Sequence, residues 1–212
     1  MERVRAILLI AGVFFFALSF LLMGVLPVVT LADVPTLTLA EVAPRVQESF
    51  LDLAERWPTA FTKSFGEPTL DAYHAALRRG REIYIGEGCW HCHSQYVRPV
   101  SNEGLRYGAV SVAEEYQNEM QRPVLFGTRR VGPDLTREGG KRSNDWHAAH
   151  FFDPKSVVPT SVMPRYPWLF EPVVGNVLPT PPNRDGLALI AYVQWLGTWP
   201  RPEVEAAAKE AP

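Results

Sequence analysis

Cys89-Trp90-His91-Cys92-His93 decides how this chain is read. The run has the form C-x-x-C-H, the attachment signature of a c-type haem. Two thiols three positions apart share one helical turn and can add to the two vinyl groups of one porphyrin as thioethers. The imidazole of the next residue then falls beneath the iron as its proximal ligand. The chain has two cysteines, and both are in this run, so such a site would use its whole thiol inventory.

Two other chemistries use C-x-x-C. A redox dithiol needs no following histidine and is expected beside a βαβ pattern, which the flanking sequence lacks. A zinc site needs four ligands. Its second half would have to be His147-Ala-Ala-His150, whose spacing is one residue short of the usual pair and which lies far beyond the usual gap from Cys92.

Composition narrows the class further. A net charge of −2 and a pI near 6.2 leave no basic footprint for nucleic acid. Nineteen prolines and fifteen glycines imply long ordered loops. From Ala6 to Ala32 no residue is charged, and Ser19 and Thr30 are the only hydroxyls. That run is long enough to cross a bilayer of about 30 Å. A signal peptide has a shorter apolar region and a small-x-small cleavage site, of which Thr30-Leu31-Ala32 is a poor version. Residues 1–32 are therefore expected to be a retained transmembrane anchor. Arg3 and Arg5 precede the span, and Asp33 and Glu41 follow it. The positive-inside rule puts the N-terminus in the cytoplasm and the rest outside, on the periplasmic face of the cell membrane. Bacterial c-type cytochromes are matured on that side.

Beyond the anchor the pattern is helical. Val42, Val46, Phe50, Leu51, Leu53 and Ala54 give Glu41–Trp57 an amphipathic spacing, with Pro44 tolerable in a first turn. This predicts one helix inside a linker over 33–68 that holds the next domain off the membrane, or that packs on the membrane surface or a partner. Pro58–Pro68 reads as a loop. A helix from Thr69, a suitable N-cap, to Ile85 carries Leu70, Tyr73, Leu77, Ile83 and Tyr84, and Gly86 and Gly88 end it before the motif. The last helix is capped by Asn183 or Asp185, carries Leu187, Ile190, Ala191, Val193, Gln194 and Leu196, and stops at Gly197 and Pro200. The expectation is an all-α chain: one N-terminal transmembrane helix, then a class I-like cytochrome c domain with long loops over 69–200 and a disordered tail over 201–212.

A sixth ligand could come from Met1, Met23, Met120 or Met163. Met1 and Met23 lie at the start and in the span, and Met120 sits in a polar stretch. Met163 lies in the proline-rich run Val158-Pro159 to Pro167-Trp168, after the motif and before the last helix. A rigid loop there would present a thioether, which favours Fe(II), raises the potential and leaves no open position. Met120, His147, His150 and five-coordinate iron are the alternatives. For the histidines the plain reading is a helix face bonded to neighbours or haem propionates.

The stretch from about Arg81 to Gly197 resembles the mono-haem subunit of cbb3-type cytochrome c oxidases. The resemblance rests on Gly88–Pro99, Arg106-Tyr107-Gly108, Gly132-Pro133-Asp134-Leu135, Gly139-Gly140, Asp145–His150, Val157-Val158-Pro159 and Met163-Pro164-Arg165-Tyr166-Pro167-Trp168, in that order. C-x-x-C-H alone is generic, whereas Ser94-Gln-Tyr-Val-Arg-Pro99 and the Met163–Trp168 loop are much more selective. The resemblance implies one covalent haem c, held by Cys89 and Cys92 with His93 and Met163 as iron ligands. It implies that the Pro133 carbonyl accepts from His93 Nδ1–H, and that Tyr166 and Trp168 wall the pocket unless they are ordinary core aromatics. Arg98 and Arg106 would pair with propionates or anchor the catalytic subunit, unless they are plain surface arginines. The chain would not be an enzyme by itself. It would take electrons from another cytochrome c and pass them to the b-type haem of a haem–copper catalytic subunit. Two features depart from the family. The segment before Thr69 is long, and Leu26-Pro-Val-Val-Thr30 lacks an acidic residue. The same role in a nitric oxide reductase is therefore the second reading. A free membrane-anchored shuttle and an open-iron haem enzyme or sensor are the remaining alternatives.

Overall fold

The computed structural model describes residues 2–32, 34–172 and 180–199. Met1, Asp33, Pro200 and the expected tail over 201–212 lie outside the described residues. The chain divides into two compact units, Met1–Thr36 and Leu37–Pro212.

The first unit is one helix, α1 (Glu2–Thr30), long and apolar enough to cross a membrane. No side chain of it is buried. A wider π-type turn occupies Leu21–Val25, and Pro27 follows after Leu26. Proline has no N–H to return to the carbonyl four residues back, and a single π-type turn is one way a helix absorbs such a defect.

The described residues of the second unit are helix and loop. Among its described residues the only β pairing is two isolated bridges, Leu37 with Asn118 and Phe170 with Pro182. It opens with α2 (Leu39–Val42), closed by a capping box in which Thr38 N–H donates to Glu41 Oε2 at 2.7 Å. The chain then breaks and restarts as α3 (Glu48–Arg56) and α4 (Pro58–Phe65). Both expectations for this segment need correction. The single helix over Glu41–Trp57 is two, because Pro44 falls at the end of the first helix and not in its first turn. The expected loop after Pro58 is helical, since proline suits a helix's first position.

The segment is also no spacer. Leu39, Val42, Phe50, Leu53 and Phe61 are buried in the same hydrophobic core as the rest of the unit. Asn144 Nδ2 donates to the Ser49 carbonyl at 2.7 Å, and Trp195 Nε1 donates to that of Val42 at 3.3 Å. Of the apolar residues picked out by spacing, Val42, Phe50 and Leu53 are buried in the domain and Val46 and Ala54 pack against its core, whereas Leu51 is exposed.

The centre of the unit is the crossing of α5 (Leu70–Gly86) and α10 (Arg184–Trp195), the layout expected of a cytochrome c domain. Thr69 caps α5 by accepting from Ala72 N–H at 3.2 Å, and Asn183 caps α10 by accepting from Asp185 and Gly186 N–H. The helices touch backbone to backbone. A Cβ on Gly80 would lie 2.5 Å from Tyr192 Cβ and run into the Ala188 carbonyl, so only glycine allows this approach. Between them in sequence lie α6 (Cys89–Cys92), α7 (Glu103–Tyr107), α8 (Asn144–Phe152) and α9 (Pro154–Val157). The long loops are held from inside by polar pairs. Val97 N–H and Tyr116 O–H both donate to Ser111 Oγ, and Arg137 pairs with the buried Glu115 at 2.7 Å.

Candidate haem-attachment site

α6 is a single turn launched from Gly88 at φ +71°. It puts Cys89 and Cys92 on one short face, and His93 N–H closes the turn onto the Cys89 carbonyl at 2.8 Å. Both thiols are partly buried and neither is in a disulfide. Burial, then the nearby Glu87 carboxylate, pushes the Cys89 thiol up to about 12. Left alone, such a thiol is neutral and inert as a redox group at pH 7.

His93 is fixed from two sides. Tyr84 O–H donates to its carbonyl. Its Nδ1 lies 3.0 Å from the Pro133 carbonyl oxygen. A carbonyl only accepts, so Nδ1 carries the proton. Burial, opposed by that hydrogen bond, holds the imidazole below its usual pKa, so the ring is neutral at pH 7. The lone pair therefore sits on Nε2, the tautomer a metal-bound histidine requires. The loop carrying Pro133 is stitched to the motif, with Gly132 N–H on the Cys92 carbonyl at 3.1 Å and Leu135 N–H on that of Ser94 at 2.9 Å. Gly132 lies against the imidazole so closely that a Cβ there would sit 2.7 Å from Nδ1. The donor set and its tautomer fit a covalently held haem iron.

Met163 is partly buried and packs on the hydrophobic core, as do Cys89 and Trp90. Its N–H donates to Ser161 Oγ at 3.2 Å, and three residues on Tyr166 N–H donates to the Phe151 carbonyl at 2.9 Å, which ties the loop to the end of α8. Tyr166 is buried. Its hydroxyl is pushed up to about 12 by burial first and then by Cys89 and Glu87, which puts it on the motif's side. Trp168 packs edge-on against Tyr166, and its Nε1–H donates to Glu87 Oε1 at 3.1 Å; more than half of it is exposed.

The remaining candidates have neighbours of their own. Met120 is buried in the core, with its carbonyl held by Arg81. Arg98 donates to the Gly127 carbonyl at 2.7 Å, and the exposed Arg106 lies over the Tyr107 ring at 5.0 Å. His147 is buried, and His150 stacks on Trp146 with ring centroids 4.6 Å apart. Burial pushes both imidazoles down to about 4; after burial, His150 is what opposes protonation of His147, and His93 that of His150.

Sequence reasoning missed Arg130. Its guanidinium donates to Glu103, to Asp134 Oδ2 at 3.0 Å and to the Tyr96 carbonyl at 2.9 Å. Glu103 lies 27 positions away, a distance no local pattern registers.

No curated protein matches the chain. Residues 49–178, more than half of it, match the family described as cytochrome c oxidase, mono-haem subunit/FixO. The chain belongs to this family of mono-haem oxidase subunits.

Proposed function

We propose that Cys89 and Cys92 would hold one haem c through thioethers, that His93 Nε2 and the Met163 sulfur would bind its iron, and that the domain relays single electrons. Family membership makes the chain the mono-haem cytochrome c subunit of a cbb3-type oxidase. The relay would run from another cytochrome c to the b-type haem of the haem–copper catalytic subunit, where the chemistry with O₂ takes place. The haem supplies a one-electron iron couple. The protein supplies its surroundings. Pro133 fixes the proton on His93 Nδ1, Tyr166 keeps its hydroxyl un-ionised beside the motif, and Met163 would present a soft neutral donor that favours the reduced state. α1 would anchor the domain with Arg3 and Arg5 in the cytoplasm and the haem on the periplasmic side.

The observation that carries this reading is the His93 Nδ1 bond to Pro133 O, which leaves Nε2 free to donate. The test is a spectrum. Covalent attachment predicts haem that stays with the polypeptide after acid–acetone extraction. Methionine ligation predicts a weak far-red sulfur-to-iron band in the ferric protein and no CO binding to the reduced protein. Extractable haem would remove the thioethers from the account, and rapid CO binding would remove Met163.

A further inference from the structure

We infer that Arg130 is a positioning residue, the centre of a clamp on three residues that holds the Pro133 carbonyl on His93 and thereby sets the haem potential. The inference rests on His93 being the proximal ligand.

The geometry is a fork with each tine used. Nε donates to Glu103 Oε1 at 2.7 Å, one terminal nitrogen donates to Asp134 Oδ2 at 3.0 Å, and the other to the Tyr96 carbonyl at 2.9 Å and to Glu103. The face of the guanidinium covers Tyr107, with its carbon 5.6 Å from the ring centroid. The partners are well buried. The Arg130, Glu103 and Asp134 side chains are 17, 10 and 0 % exposed. Charge-assisted bonds at such sites are among the stronger ones, and a guanidinium matches two carboxylates in a way an ammonium cannot.

What the clamp holds matters more than its strength. Asp134 directly follows Pro133. Its Oδ2 also accepts from Tyr96 N–H at 3.0 Å, and its Oδ1 accepts from Thr136 N–H at 2.8 Å. Tyr96 lies three residues after His93. Arg130 therefore joins the segment after the histidine to the loop that carries its hydrogen-bond acceptor. Glu103, the first residue of α7, extends the join to that helix, and its Oε2 also accepts from Arg98 N–H at 2.9 Å. With the loop so held, the Pro133 carbonyl keeps its place on Nδ1–H. A firm bond there makes the imidazole a stronger donor and favours the oxidised iron.

The test uses the full-length protein with its haem. Arg130→Lys keeps the charge and removes the fork, so any change in potential reports geometry and not lost charge. The redox equilibrium is expected to move about fivefold toward the reduced form, the size of one weakened hydrogen bond. The His93 Nδ1 proton should exchange faster with solvent, and the far-red sulfur band should remain. Glu103→Gln, which keeps the shape of its side chain but removes a charge, is read by the Nδ1 proton alone, which should again exchange faster, if Arg130→Lys folds poorly. A wild-type potential in Arg130→Lys together with an unchanged Nδ1 proton in both variants overturns the clamp and leaves the ligand assignment standing. A haem spectrum that survives His93→Gly unaltered overturns both.

Discussion

Gly132 lies flat against the imidazole of His93, with room for a hydrogen and no more: a Cβ would sit 2.7 Å from Nδ1. The same turn supplies the Pro133 carbonyl that accepts the hydrogen bond from the ring's Nδ1–H. Gly132→Ala therefore has to push the ring or the loop aside. Overpacking of this kind costs about 1–3 kcal/mol, and here it falls on the proposed iron ligand. The variant is expected to fold with less haem attached and a changed ferric spectrum. Full occupancy with an unaltered spectrum would show that the loop yields and the ring does not depend on it.

The α5–α10 crossing makes a second prediction in which two effects oppose each other. Gly80→Ala gains about 1 kcal/mol of helix propensity. Its methyl meets Tyr192 Cβ at 2.5 Å and the Ala188 carbonyl, both on another helix's frame, where neither can swing away. Overpacking wins at about 3 kcal/mol, so the net loss is about 2 kcal/mol. For a unit of this size the melting temperature should fall by about 4–8 °C. A rise in melting temperature would mean the helices stand further apart than this crossing has them.

Residues 37–66 separate two accounts of the segment after the anchor. If it were a spacer, Phe50→Ala would be silent. Phe50 is fully buried, with its ring 5.0 Å from those of Phe61 and Tyr73. Emptying that position costs about 3–5 kcal/mol. Chemical unfolding of the haem-loaded protein should show that loss, and an unchanged midpoint would restore the spacer reading.

These comparisons show where sequence reasoning works. Thr69 and Asn183 are short-range signals, and both cap the helices expected of them. The family resemblance pairs His93 with Pro133, and Nδ1 lies 3.0 Å from the carbonyl oxygen. Spacing selected Val42, Phe50 and Leu53 correctly as one buried face. It could not say what they are buried against, because periodicity records only that a face is apolar. Placing Pro44 in a helix's first turn failed because that choice depended on where the helix starts, and the Thr38–Glu41 capping box sets the start two residues earlier than expected. Arg130, Glu103 and Asp134 were invisible for another reason. Their partnership is created by two loops closing on each other, and each residue alone reads as an ordinary surface charge.

The proposed distal ligand has a directional test. Met163→His exchanges a soft neutral thioether for a stronger nitrogen donor, which favours the oxidised iron. The midpoint potential is expected to fall and the far-red sulfur band to vanish, while haem stays attached through Cys89 and Cys92. A potential equal to wild type would place the sixth ligand elsewhere. Because Met120 is buried in the core, Met120→Leu is the matched control and should leave the spectrum alone.

Acid should weaken the domain through its buried histidines. His147 is almost fully buried, and its imidazole is pushed from 6.5 down to about 4 by burial first and by His150 and Arg142 after it. The folded state holds it neutral, whereas the unfolded chain takes up its proton near 6.5. Between those values the unfolded state binds more protons, so stability falls as pH drops from about 6.5 to about 4. It then levels off, and above 6.5 this residue contributes no slope. The shift corresponds to at most ~3 kcal/mol from His147. His150 and His93 are lowered as well and add in the same direction, so the contribution of one residue has to be taken as a difference. His147→Gln removes the titration while keeping a polar side chain. Urea unfolding of both proteins at pH 7 and pH 4.5 should show a smaller acid loss in the variant. Equal losses would mean that His147 is already protonated in the folded domain, with a partner for its charge inside the core.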